Sequence, residues 1–142
     1  MLGRYELCGQ LAEGGMAKVY LGRLKGAEGF ERVVALKMLK GEGTHDASFL
    51  RMFIDEARIL ARLSHPGIVQ IYDLGKEEGT LVLAMELLFG QSLADVWDEC
   101  HARGVRLRGD VVAWIGARVA EALHYAHEAR SIDGTPQNLI HR

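Results

Sequence analysis

The stretch ERVVALKML, residues 31–39, decides how the chain is read. Its β-branched and apolar content predicts a strand over Glu31–Leu39. On the pleat Val34, Leu36 and Met38 share one face, while Val33, Ala35 and Lys37 share the other. A lysine on a half-buried strand face is costly without an anionic partner. Taken alone, Lys37 reads equally as an edge lysine that snorkels to water. The choice rests on the segments to either side.

Downstream, Ala47–Leu63 predicts a helix, with Asp46 as N-cap after the loop GEGTHD (41–46) and HPG (65–67) as the stop. Phe49, Phe53, Leu60 and Leu63 fall on one face at helical spacing, and Arg51, Arg58 and Arg62 on the opposite, solvated one. Glu56 sits inside the apolar stripe, between Phe49 and Leu63. A carboxylate there needs a cation across the interface. Lys37 and Glu56 together suggest one ion pair. Upstream, LAEGGMAKVY (11–20) places two glycines between the predicted strands Tyr5–Leu11 and Ala17–Leu24. By itself this is either a hairpin turn or a cradle for phosphate. Beside it, the ion pair would hold a phosphate-binding cation in place.

Outward from this centre, KGAEGF (25–30) is a turn, and Val69–Lys76 and Thr80–Leu87 are strands joined at EEG. Leu93–Arg103 and Val111–Arg130 are predicted helices. The second is apolar on most of its circumference, as expected of a helix buried in a larger body. Trp97 and Trp114 are expected in a core. The order β-β-β-α-β-β and then α predicts an α+β fold: a sheet-rich lobe over 1–87 and the start of a helical lobe over 88–142.

At 142 residues and 49% hydrophobic the chain can bury a core. A net charge of −2 argues against a nucleic acid partner. No segment reaches the roughly 18 apolar residues of a membrane helix, and the first residues form no signal peptide. A cytoplasmic location is expected, with any membrane anchor placed further downstream. Cys8 and Cys100 form neither a disulfide framework nor a zinc site. His124 and His127 lie three apart without a third ligand, so no protein-bound metal is expected in these residues.

The motifs in their order resemble the protein kinases, and within them the bacterial serine/threonine type. LAEGGMAKV resembles the glycine-rich loop over ATP phosphates, and VALK (34–37) the strand whose lysine pairs with the α- and β-phosphates. FIDEARILARLSHPGIVQIYDLG (53–75) resembles the family's αC helix and following strand, with Glu56 as its glutamate. LVLAMELLFGQSL resembles the fifth strand and hinge. HYAHEA followed by LIHR resembles the end of a helix and the start of the catalytic loop. The resemblance implies a five-stranded antiparallel sheet with one αC helix, followed by the first helices of an incomplete second lobe.

It also implies roles. Ala12, Glu13, Gly14, Gly15, Met16 and Ala17 would form the phosphate loop. Ala12 and Ala17 stand where the motif has its first and third glycines, and Gly14 keeps the middle one, where backbone comes nearest the phosphates. A dinucleotide-binding turn is set aside because this turn opens a strand and not a helix. Leu11 and Val19 would cover the adenine, Ala35 would pack against it, and Met85 would be the gatekeeper. The backbone of Glu86 and Leu88 would bind the adenine edge, and Ser92 the ribose. Lys37, held by Glu56, would orient the phosphates. His141 and Arg142 begin H-R-D-x-x-x-x-N, and Arg142 would hold a phosphorylated activation loop. ATP is the expected nucleotide, with Mg²⁺ ligands beyond residue 142 and an unspecified protein as substrate.

Because the residues stop before the motif's aspartate, the chain is expected to be part of a longer kinase, inactive alone and with exposed apolar helix surface. Two other readings stand beside this one. The first is a non-catalytic nucleotide-binding or interaction module. The second is a small-molecule phosphotransferase, against which Arg142 weighs, since those enzymes more often carry H-G-D.

Overall fold

The computed structural model describes residues 1–15, 17–39, 47–130 and 134, leaving aside the side chains of 47 and 49. The expectations for Met16, the 41–46 loop with Asp46, the Phe49 side chain, His141 and Arg142 lie outside the described residues. The chain divides into two compact units: residues 1–64 with 69–88, and residues 65–68 with 89–142.

The first unit is a five-stranded antiparallel sheet. Its strands are β1 (Tyr5–Glu13), β2 (Ala17–Lys25), β3 (Glu31–Leu39), β4 (Ile71–Glu77) and β5 (Thr80–Met85), in the order β1-β2-β3-β5-β4. The pleat of β3 separates two cores. Val34 and Leu36 are fully buried with Leu2, Tyr5, Val82 and Ala84 on one face. On the other, Leu83 and Ile71 pack with Phe53 and Ala57 of the helix α1 (Ala47–Leu60).

The sheet curls around the first core. β1 and β4 are opposite edges, yet the Tyr5 hydroxyl donates to Asp73 Oδ2 at 3.0 Å and the Arg4 guanidinium pairs with the same carboxylate. Burial, then the bond to Asp73, pushes the Tyr5 hydroxyl pKa up from its ordinary 10.0. Gly22 in β2 permits the curl's close packing, since a Cβ there would lie 2.3 Å from Leu36 Cδ1.

Helix α1 ends at Leu60, three residues before the predicted limit. The chain tightens there, with Leu63 N–H donating to the Leu60 carbonyl at 3.0 Å, and Leu63 is still buried. Arg51, Arg58 and Arg62 are exposed, as the helical wheel predicts.

In the second unit, α2 (Leu93–Ala102) and α3 (Gly109–His127) bury none of their residues. The expectation that Trp97 and Trp114 lie in a core fails for this chain: they are 65% and 64% exposed. Of their large apolar side chains, Val96 and Ile115 are half-buried and the others exposed, so the all-round apolar pattern of α3 does not lead to full burial within these residues. The HPG segment stays with this unit. Gly67 N–H donates to His65 Nδ1 at 3.0 Å, and the His65 ring lies 5.0 Å from that of Tyr125 on α3.

Candidate functional site

Lys37 and Glu56 meet. Lys37 Nζ lies 2.8 Å and 2.9 Å from the two Glu56 carboxylate oxygens. β3 supplies the lysine and α1 the glutamate. The helix is anchored by Phe53 and Ala57, which pack under the sheet beside Leu83, and Leu83 is the residue paired with Lys37 across β3 and β5. The Phe53 ring centroid lies 5.8 Å from the ammonium, adding a weak attraction to its positive charge. The lysine side chain is 26% exposed and the glutamate 48%. The pair is therefore open to water on one side, and is neither a desolvated core pair nor a loose surface contact. The snorkelling alternative for Lys37 is excluded by this double contact.

The glycine turn joins β1 and β2, and the strand residues beside it share the lysine's face. Val19 pairs with Ala12 on one side and Lys37 on the other, so these three share a face. Glu13 and Lys18 are the next pair and point to the opposite face. Gly14 N–H donates to the Ala17 carbonyl at 2.9 Å and closes the turn. Neither Gly14 nor Gly15 has a positive φ. A Cβ at Gly14 would make ordinary contact with the Ala17 carbonyl at 3.7 Å, and one at Gly15 would meet nothing within 4 Å. The hairpin itself therefore does not demand glycine at either position.

The remaining expected residues divide between the units. Ala35 is buried between its partners Leu21 and Met85 on neighbouring strands. Leu11 falls at a register shift between Gln10 and Ala12, out of the strand pairing and half exposed. Bulges of this kind re-aim a side chain, and a sequence pattern of period two gives no sign of them. Glu86 N–H donates to the Gln70 carbonyl at 2.9 Å, and its carboxylate accepts from Gln70 N–H at 3.3 Å. Leu88 is exposed. Ser92 belongs to the second unit, where its hydroxyl caps α2. It accepts from Asp95 N–H at 3.1 Å, and the Asp95 carboxylate accepts from Ser92 N–H at 3.2 Å. That capping box accounts for a serine at this position without any ligand.

Among the described residues no group of three His, Cys, Asp or Glu could hold a metal ion. Among them also, no helix is long and apolar enough to cross a membrane.

Comparison with known proteins agrees with the arrangement. A family model for the protein kinase domain matches residues 5–142. The chain is 41% identical over 140 residues to the tyrosine-protein kinase MasK of Myxococcus xanthus (strain DK1622), covering 99% of this chain and 22% of that protein. It is 34% identical over 142 residues to the serine/threonine-protein kinase PrkC of Bacillus subtilis (strain 168), covering 97% of this chain and 20% of that one. The chain thus spans about a fifth of the length of these curated relatives. A crystal structure of the Mycobacterium tuberculosis PknI kinase domain superposes with a TM-score of 0.69 at 31% identity, covering 89% of this chain and 49% of that one. The chain belongs to the protein kinase domain family, of the bacterial type.

Proposed function

We propose that these residues are the nucleotide-holding part of a kinase that transfers the γ-phosphoryl group of ATP to serine or threonine hydroxyls of a protein. The observation that carries this is the grip of both Glu56 oxygens on the Lys37 ammonium, 2.8 Å and 2.9 Å away. Phosphoryl transfer is catalysed mainly by positioning and by charge stabilisation. A cation fixed by a helix carboxylate, still partly open to water, meets that need for the α- and β-phosphates.

The glycine turn supports the same reading. Its glycines are not required by turn geometry or by packing, whereas a side chain there would obstruct a phosphate approaching the backbone. Gly14 N–H is committed to Ala17, so contact with phosphate falls to the other loop amides. At the adenine edge, Glu86 N–H is committed to Gln70, which leaves its carbonyl as the acceptor. Leu11, displaced by the bulge, and Val19 supply the apolar cover, continued on the same sheet face by Ala35 and Met85. Mg²⁺ bound with ATP would supply further charge neutralisation at the phosphates.

We expect these residues by themselves to bind nucleotide without turnover. The location is proposed as cytoplasmic, where ATP is abundant.

Lys37→Met in a protein that extends through the full kinase domain tests the reading. We expect γ-phosphoryl transfer to fall by roughly a hundredfold or more, with adenosine binding retained. Transfer at the unsubstituted rate would sink it. MasK, at 41% identity, is named a tyrosine-protein kinase. Phosphoamino-acid analysis of the product therefore separates serine or threonine from tyrosine as the acceptor.

A further inference from the structure

We propose that Gln10, Glu13 and Lys18 form a clasp on the outer face of the glycine turn, and that this clasp sets how firmly the turn holds phosphate. The proposal rests on the phosphate-holding role given above to that turn. The β1–β2 register ends on the pair Glu13 and Lys18, the last rung before the tip. Lys18 lies opposite Met38, whose side chain packs on the curled core, whereas Val19 lies opposite Lys37. Glu13 and Lys18 therefore project from the face away from Lys37 and do not line the site.

Lys18 Nζ is 3.7 Å from Glu13 Oε2, and Gln10 Nε2 donates to the same oxygen at 3.3 Å. Gln10 and Ala12 flank the register shift that displaces Leu11, and Glu13 follows directly. One carboxylate thus ties the bulge on β1 to the final rung of the hairpin. The tip beyond it begins with two glycines, which carry no side chain to order them and lose much conformational freedom on being fixed. Beyond the Gly14 N–H bond to the Ala17 carbonyl, its support comes from the rung below. When that rung frays, the turn loses the support of its two strands, and the loss falls on groups that bind phosphate more than on those that bind adenine. Glu13 and Lys18 are positioning residues in this account, acting through the loop backbone.

The test is calorimetric titration of the intact chain with ATP and with adenosine. Lys18→Glu puts two carboxylates on one rung, which is unfavourable. ATP affinity is expected to fall about two- to fivefold and adenosine affinity by less. The exchanged pair Glu13→Lys with Lys18→Glu restores the opposite charges and should restore the preference for ATP over adenosine. Equal losses for the two ligands in Lys18→Glu, or failure of the exchanged pair to recover, would overturn the clasp. If the unsubstituted chain binds ATP no better than adenosine, the phosphate-holding reading of the turn fails, and the clasp falls with it. Thermal melting of each variant shows whether a change in affinity is merely a change in folding.

Discussion

The sheet unit and the helical unit use similar residues in opposite ways. In the first, Val34, Leu36, Val82 and Leu83 disappear into two cores on either face of one sheet. In the second, Trp97, Trp114, Val112 and Val119 remain on the surface of helices that bury nothing. Both segments are apolar and regular in sequence. The difference teaches that periodicity reports how a segment could be buried, and neighbours decide whether it is. Strand pairing brings the neighbours of β3 to it from β2 and β5, and hydrogen bonds hold them there. Helices α2 and α3 satisfy their backbone internally, so forming them commits no partner.

Substitutions can break this contrast. The largest effect is expected for Leu36→Ala, which removes a fully buried side chain and should cost about 2–5 kcal/mol in denaturant unfolding of the chain. Next is Gly22→Val, which drives a side chain into Leu36; overpacking should cost about 1–3 kcal/mol, and Leu36→Ala in the same chain should relieve part of it. Ser92→Ala removes the cap of α2 and should cost about 1 kcal/mol, read as lost helical circular dichroism with the sheet unit unchanged.

Tyr5→Phe deletes one of the two links to Asp73 across the curled sheet, at about 1 kcal/mol. It also carries a pH signature. The hydroxyl pKa is raised in the folded state, so its stabilisation is complete below pH 10.0 and is lost as pH rises through the folded value. The alkaline decline in stability should be shallower in Tyr5→Phe. The smallest effect, within about 0.5 kcal/mol, is expected for Trp114→Ser in this chain, despite the size of the side chain. A loss comparable to that of Leu36→Ala would erase the distinction between the two units.

Much of the site is already present in sequence. The pleat of residues 31–39 puts Lys37 on the face opposite Leu36, and helical spacing puts Glu56 on the stripe with Phe53. Those two periodicities are local, and each follows from backbone geometry. Their meeting was an inference from two costly charges that need each other, and the contact follows that logic. The glycine pair was also visible, though its choice between turn and cradle was not. What bears on that choice is the absence of any steric or conformational need for glycine at 14 and 15, and this requires coordinates.

The rest was hidden because it depends on contacts between distant segments. The displacement of Leu11 arises from a mismatch in strand register that no alternation of apolar and polar residues records. The Asp73 carboxylate reads as an ordinary strand charge until the curl brings Arg4 and Tyr5 to it across the full width of the sheet. Ser92, taken by resemblance toward the ribose, is engaged with Asp95 at a helix start. By itself the sequence determined which faces could be buried, and that Lys37 and Glu56 needed partners. Tertiary structure decided which apolar faces found a neighbour, because burial and long-range pairing belong to the assembled sheet and not to any one segment.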